Sequence, residues 1–322
     1  MTRFGIFVPQ GWRMDLNEIA DPAEQFDAMV NVAKQADAGP WDSIWVYDHF
    51  HTVPEPTRNT TFECWTSTAA LARETESVNI GQMVGCNGYR NPALYAKIAS
   101  TVDAASRGRL YAGIGAGWYE HEWKAYGYEW PELRDRMGAF REAVEIIYRL
   151  WTEDDVVFNG KYYSVDQPYN EPKGARRPHT SLWIGGGGEK VTLRLVAKYA
   201  DACNVGGGNP DTIRQKLAVL RGHCDNEGRD YDSIIKSTSF NVFPLEKGAD
   251  VESGSAKARG RLDLEAWNKQ YPGLVTGTAD EIGERVQNAL DAGADYVIFY
   301  VPGVAYDDEL VGRAAEIVQQ LS

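Results

Sequence analysis

The run Trp45-Val46-Tyr47-Asp48-His49-Phe50-His51 places a carboxylate and two imidazoles where an apolar stretch gives way to polar chain. An imidazole titrating at about 6.5 can give or take a proton at neutral pH, so His49 suits proton transfer or hydrogen bonding to a ring substrate, with Asp48 beside it. The plainer reading makes Asp48 a turn cap and His49 a satisfied polar group, and position alone leaves both open. Strand alternation, if it reached this far, would send His49 and His51 to one side and Asp48 to the other. A metal pair of the HxH type needs further ligands on later strands. His121, His179 and His223 stand at no strand end, so no metal is expected.

Two glycine-rich stretches are the other chemical signal. Trp183-Ile184-Gly185-Gly186-Gly187-Gly188 opens into a helical pattern from Glu189 to Tyr199. Unshielded amides converging on a helix start make an anion site, which suits a phosphate. Lys190, Arg194 and Lys198 fall on one face of that pattern, and Lys190 in its first turn opposes the helix dipole unless an anion offsets it. The stretch Gly81-Gln82-Met83-Val84-Gly85-Cys86-Asn87-Gly88-Tyr89-Arg90-Asn91-Pro92 is too glycine-rich for a plain strand exit. A bulge at Met83-Val84-Gly85 would push main chain toward a planar ligand. Gly113-Ile114-Gly115-Ala116-Gly117 is a weak dinucleotide signal, because no acidic residue follows in a Rossmann arrangement, and its glycines read equally well as clearance.

Positioning these groups falls to eight β-branched or aromatic runs alternating with amphipathic helical segments. The strands are expected at 4–8, 43–47, 79–84, 110–115, 181–184, 202–205, 237–243 and 296–301. Helices are expected, among others, at 22–37, 92–105, 133–150, 210–224, 280–292 and 307–321, with Pro22, Pro92 and Pro210 in first turns. Eight such units close most economically into a (β/α)8 TIM barrel, a single domain over residues 1–322. Two segments break the repeat: 152–180, with a hairpin at 156–163 turning on Asn159-Gly160, and the charged segment 245–272. They read as insertions after strands 4 and 7, on the face where they would cover the mouth.

Composition narrows the partners. With 46 acidic against 33 basic residues, the net charge of −13 excludes nucleic acid and anionic membrane as expected partners. No stretch approaches the roughly 18–20 apolar residues of a membrane helix, and the start Met1-Thr2-Arg3-Phe4 shows no leader, so the cytoplasm is expected. Cys64, Cys86, Cys203 and Cys224 lack CxxC spacing and read as reduced thiols. A homodimer acting on a small molecule is the working expectation.

Taken together, Asp48-His49, the 81–92 stretch, Ser106-x-Gly-Arg109, Gly113-x-Gly-x-Gly117, and Trp183–Gly188 with Ala200-Asp201-Ala202-Cys203-Asn204 resemble the bacterial luciferase-like family. The likeness runs from Phe4 to about Leu321 and is greatest to members that use coenzyme F420, a deazaflavin. It implies an F420-dependent oxidoreductase that moves a hydride to or from a small organic substrate, with His49 and Asp48 at the ring as catalytic residues. It further implies a non-prolyl cis peptide at Met83-Val84 behind the ring and phosphate contacts from the amides of Gly186, Gly187 and Gly188, with Gly185 and Lys190 joining the cofactor set on their own position in the run. Asn87 and Tyr89 join the cofactor set, and Arg176, Arg177 or Lys190 would serve a glutamyl tail. The sugar-phosphate dehydrogenases of the family carry a tryptophan four residues after the histidine and a glutamate after GxG. This chain has Val53 and Trp118 there, so their mechanism is not expected. Two alternatives stay open: an FMN-dependent monooxygenase, and a cofactor-binding protein without turnover.

Overall fold

A computed structural model describes residues 2–321. Eight parallel strands form its centre: β1 (Arg3–Phe7), β2 (Ser43–Val46), β3 (Asn79–Gln82), β4 (Leu110–Gly115), β5 (Ser181–Gly185), β6 (Ala202–Asn204), β7 (Ile235–Pro244) and β8 (Tyr296–Tyr300). Each pairs with its neighbour in order, and β8 returns to β1, so the sheet closes into the expected barrel without free edges. Two short pieces extend it: Gly85–Cys86 on β4 and Val275–Gly277 on β7.

The outer helices include α1 (Pro22–Asp37), α2 (Cys64–Glu74), α3 (Pro92–Ala105), α4 (Leu133–Thr152), α5 (Thr192–Tyr199), α6 (Pro210–Glu227), α7 (Ala279–Asp291) and α8 (Leu310–Leu321). Their starts follow from local chemistry. Asp21, Asn91 and Asn209 cap α1, α3 and α6, each just ahead of a proline that needs no amide partner.

The barrel interior near the strand starts is packed with large rings. Trp45 and Trp183 meet at 4.8 Å, and the Tyr296 hydroxyl bonds Ser43 and Asp42. This plug of aromatic side chains leaves only the C-terminal end of the barrel open for a ligand.

Segment 152–180 contains a hairpin, but its strands are Val157–Asn159 and Ser164–Asp166, joined by Gly160–Tyr163 rather than by a two-residue turn. The reason lies in α4, where the Glu142 carboxylate accepts the amides of Lys161, Tyr162 and Tyr163 and so holds the longer loop. Segment 245–272 carries three short helices, Val251–Gly254, Ala256–Arg259 and Leu264–Gln270. The four cysteines are buried and free. No helix among the described residues is long and apolar enough to cross a membrane.

Candidate active site

Strand β2 stops earlier than its sequence suggests. Gln10 reaches across, donating to the Tyr47 carbonyl at 2.8 Å and accepting the Tyr47 amide at 2.6 Å, which takes the bonds a longer strand would give its neighbour. Tyr47, Asp48 and His49 therefore leave as loop. Alternation does not apply, and Asp48 and His49 line one cavity of about 360 Å³. His51 turns away, its ring 5.0 Å from that of His121.

His49 is fixed from two sides. Its ring stacks on Trp12 at 4.5 Å with planes within 4°, and its Nδ1 lies 2.8 Å from Oε2 of Glu122, in the short helix Glu120–Ala125. Glu122 is fully buried and also receives the Tyr89 hydroxyl and the amides of Phe50 and His51. Burial alone would raise its carboxyl, but hydrogen bonds from His49, the His51 amide and Tyr89 outweigh that and hold it below the usual carboxylate range. An ionised carboxylate only accepts, so Nδ1 carries the proton. In the neutral ring, Nε2 is then the free acceptor.

The Asp48 carboxylate makes no hydrogen bond to the His49 ring among the described residues. That carboxylate is taken by Arg90, through contacts of 2.5 and 3.0 Å, and by the Cys86 amide at 2.7 Å. Arg90 also reaches Glu63 at the start of α2. This bidentate pair ties the loop after β2 to the Gly85–Cys86 piece beside the cavity floor.

The peptide between Met83 and Val84 is cis, as the resemblance implies. Both residues line the cavity, and the Val84 side chain occupies space that glycines leave open. A Cβ on Gly115 would stand 2.7 Å from Val84 Cγ2, and one on Gly185 would stand 2.8 Å from Val84 Cγ1. A Cβ on Gly113 would come within 1.8 Å of the Gln82 carbonyl oxygen. Gly113 and Gly115 thus clear room for the 82–84 segment, with Gly185 closing the same gap.

Of the glycine run, Gly185 and Gly186 line the cavity. The helix does not begin at Glu189. Gly186 sits at φ 114°, residues 189–191 form a turn, and α5 starts at Thr192. Lys190 therefore lies outside any helical face and is exposed. The amides of Gly187 and Gly188 have no acceptor among the described residues. The cation packed there is Lys216 of α6, whose stem would meet a Gly187 Cβ at 3.2 Å and whose ammonium pairs with Glu189.

Tyr89 lines the cavity, whereas Asn87 does not and instead donates to the Tyr163 hydroxyl at 3.3 Å. Arg176 is at the wrong end of the barrel for a tail contact: it bonds Asn79, the first residue of β3, and lies over Tyr111. Arg177 is spent on the carbonyls of Gly174 and Arg176. Sequence reasoning missed Trp12, Glu122 and Lys216. No group of three or more metal-ligating side chains exists among the described residues.

A second cavity of about 540 Å³ adjoins the first across a boundary formed by Trp12, Tyr47 and Met83. Pro272 and Gly273, at the end of segment 245–272 and just beyond it, line it, and so does Arg13.

A family model described as luciferase-like monooxygenase matches residues 2–296. The F420-dependent glucose-6-phosphate dehydrogenase of Amycolatopsis mediterranei (strain U-32) is 30% identical over 93% of this chain and 96% of its own. Among solved structures, an F420-dependent secondary alcohol dehydrogenase in complex with an F420-acetone adduct has TM-score 0.79 at 20% identity, over 100% of this chain and 99% of that one. The EDTA monooxygenase of Chelativorans sp. BNC1 has TM-score 0.80 at 16% identity, over 100% and 94%. At such identities the two structures establish the fold.

Proposed function

The chain belongs to the luciferase-like monooxygenase family, and from that premise we infer a coenzyme F420-dependent oxidoreductase that moves a hydride between the deazaflavin and a small organic substrate. The observation that carries the site assignment is the His49–Glu122 pair, which occupies Nδ1 and leaves Nε2 without a hydrogen-bond partner among the described residues, on a ring that lines a cavity suited to a flat ligand.

The cavity residues fit the cofactor. Gly115, Gly185 and Gly186 line the cavity with backbone alone, Gly115 and Gly185 making room for the Val84 side chain, and the amides of Gly187 and Gly188, unpaired among the described residues, stand ready for an anion. Bound F420 supplies a carbon that accepts or donates hydride. The protein's own work is to hold the ring against Met83 and Val84, exclude water with Trp12 and Tyr89, and move the accompanying proton at His49 Nε2. Asp48 acts through Arg90 and Cys86 as a positioning residue. Lys190 and Asn87 remain in the cofactor set only as residues flanking it.

As part of the same reading, the chain works as one domain, with 152–180 and 245–272 inserted after β4 and β7, and as a homodimer in the cytoplasm. Pro272 and Gly273 beside the second cavity support a covering role for the later segment. The relatives' glucose 6-phosphate is not carried over, because Val53 and Trp118 occupy the places of the family's tryptophan and glutamate.

Titrating the purified protein with F420 and with FMN, followed by absorbance and fluorescence, tests this. Saturable binding of F420 in preference to FMN is expected. Binding of FMN alone would replace the reading with a flavin monooxygenase.

A further inference from the structure

The second cavity carries an electrostatic oddity. In a chain with 46 acidic and 33 basic residues, its walls hold two arginines, Arg13 and Arg285, and no carboxylate. Arg13 leaves the loop after β1 with its main chain pinned, its carbonyl accepting from Gln270 at 2.6 Å and from the Tyr271 hydroxyl at 3.2 Å. Its guanidinium lies over two rings, 5.1 Å from Trp12 and 5.4 Å from Tyr300. Yet among the described residues it has no ion pair within 4.0 Å, and its buried Nε has no hydrogen-bond partner.

A guanidinium held in place by aromatic faces, with its donors left over, is costly unless something accepts from it. The nearest candidate acid fails to do so. Asp15 feels the Arg13 charge, but it gives one oxygen to the Gly11 amide and the other to the Tyr300 hydroxyl and makes no hydrogen bond to the guanidinium among the described residues. The buried Nε is therefore left without an acceptor among the described residues, on a side chain that is otherwise partly open to the cavity.

We propose that this cavity is the substrate subsite and that it selects a small organic carboxylate, whose oxygens Arg13 receives through its planar fork. The proposal rests on the F420 reading of the neighbouring cavity, since the boundary at Trp12, Tyr47 and Met83 would then bring the far end of the substrate toward the ring and His49. A carboxylate matches one partly buried, bidentate donor edge. Arg285 is exposed on α7 and serves attraction at the rim rather than a tight contact. Phe7, Phe240 and Tyr300 give part of the wall an apolar surface that suits a flat or branched hydrocarbon body, beside the polar Asn209, Ser239, Asn241 and Asn288.

Benzoate, benzamide and phenyl phosphate serve as probes, titrated calorimetrically into the protein saturated with F420 and into the protein alone. Benzoate should bind at least tenfold more tightly than neutral benzamide, and Arg13→Met should abolish that preference while F420 affinity stays within twofold. Arg13→Lys, which keeps the charge but loses the fork, should retain part of the preference and covers the case in which Arg13→Met fails to fold. Equal binding of benzoate and benzamide to the native protein, or an undiminished preference in Arg13→Met, would overturn the proposal. Tighter binding of phenyl phosphate than of benzoate would also overturn it, in favour of a phosphate ester. A carboxylate preference that persists in protein unable to bind F420 would sustain the subsite and sink the cofactor reading instead.

Discussion

Glu122 and His49 are 73 residues apart in sequence and 2.8 Å apart in the structure, with the carboxylate fully buried behind the imidazole. Four donors converge on the two Glu122 oxygens, two of them main-chain amides from the residues that follow His49. The same carboxylate therefore sets the ring, its tautomer and the course of the loop.

Removing the imidazole should separate chemistry from binding. His49→Ala is expected to lower kcat on the order of 10²-fold with F420 affinity nearly unchanged, measured by turnover and by fluorescence titration. Wild-type turnover across neutral pH would return His49 to a structural role.

Glu122→Gln probes the tautomer. Gln has one acceptor oxygen where four donors now meet two, so its amide must face at least one donor. Turnover is expected to fall about tenfold or more while cofactor binding changes little, and Glu122→Ala should in addition lose about 1–3 kcal/mol of stability from stranded amides in denaturant unfolding.

The fit of Val84 between glycines predicts a compensating pair. Gly115→Ala should destabilise by about 1–3 kcal/mol through overpacking, and Val84→Ala in the same chain should recover part of that loss. Strict additivity in the double-mutant cycle would refute the contact.

At the glycine run, Gly187→Val is expected to weaken F420 binding by more than tenfold, or about 1.4 kcal/mol, by obstructing the approach to its amide and to that of Gly188. An unchanged dissociation constant would remove this segment from the cofactor site.

Acid should destabilise the fold through carboxylates held low in the native state. For Asp37, burial opposes ionisation, but bonds from the Ser77 hydroxyl and the amides of Glu76, Ser77 and Val78 bring it down to about 2. Glu122 is shifted in the same direction. A depressed native pKa adds stability above the unfolded value, and that stability disappears as pH falls through the native value. Thermal midpoints should hold steady from neutrality to about pH 5 and then fall toward pH 2, with a smaller fall in Asp37→Asn.

The barrel was legible because its strands are short β-branched and aromatic runs separated by helices with recognisable starts, such as Asn91-Pro92 and Asn209-Pro210. Asp48, His49 and the 81–89 stretch stand out for the same local reason. Glu122 does not, because Glu120-His121-Glu122 looks like any solvated helix end until barrel closure brings it under His49. Lys190 misled because the pattern from 189 to 199 is helical in composition, whereas a glycine at positive φ and an uncapped start delay the helix to Thr192. Arg176 misled through its charge alone, since its place at the foot of β3 is a matter of topology.

The Val84 side chain, lodged against Gly115 and Gly185, makes two distant glycine motifs answer to one residue. A lineage that enlarged position 84 would have no room to do so, and one that shrank it would release both glycines from their constraint at once. The three positions are thus expected to drift together as an inherited unit. The presence of both motifs in a chain would then record the shape of the ledge between them, whichever ring that ledge has come to hold.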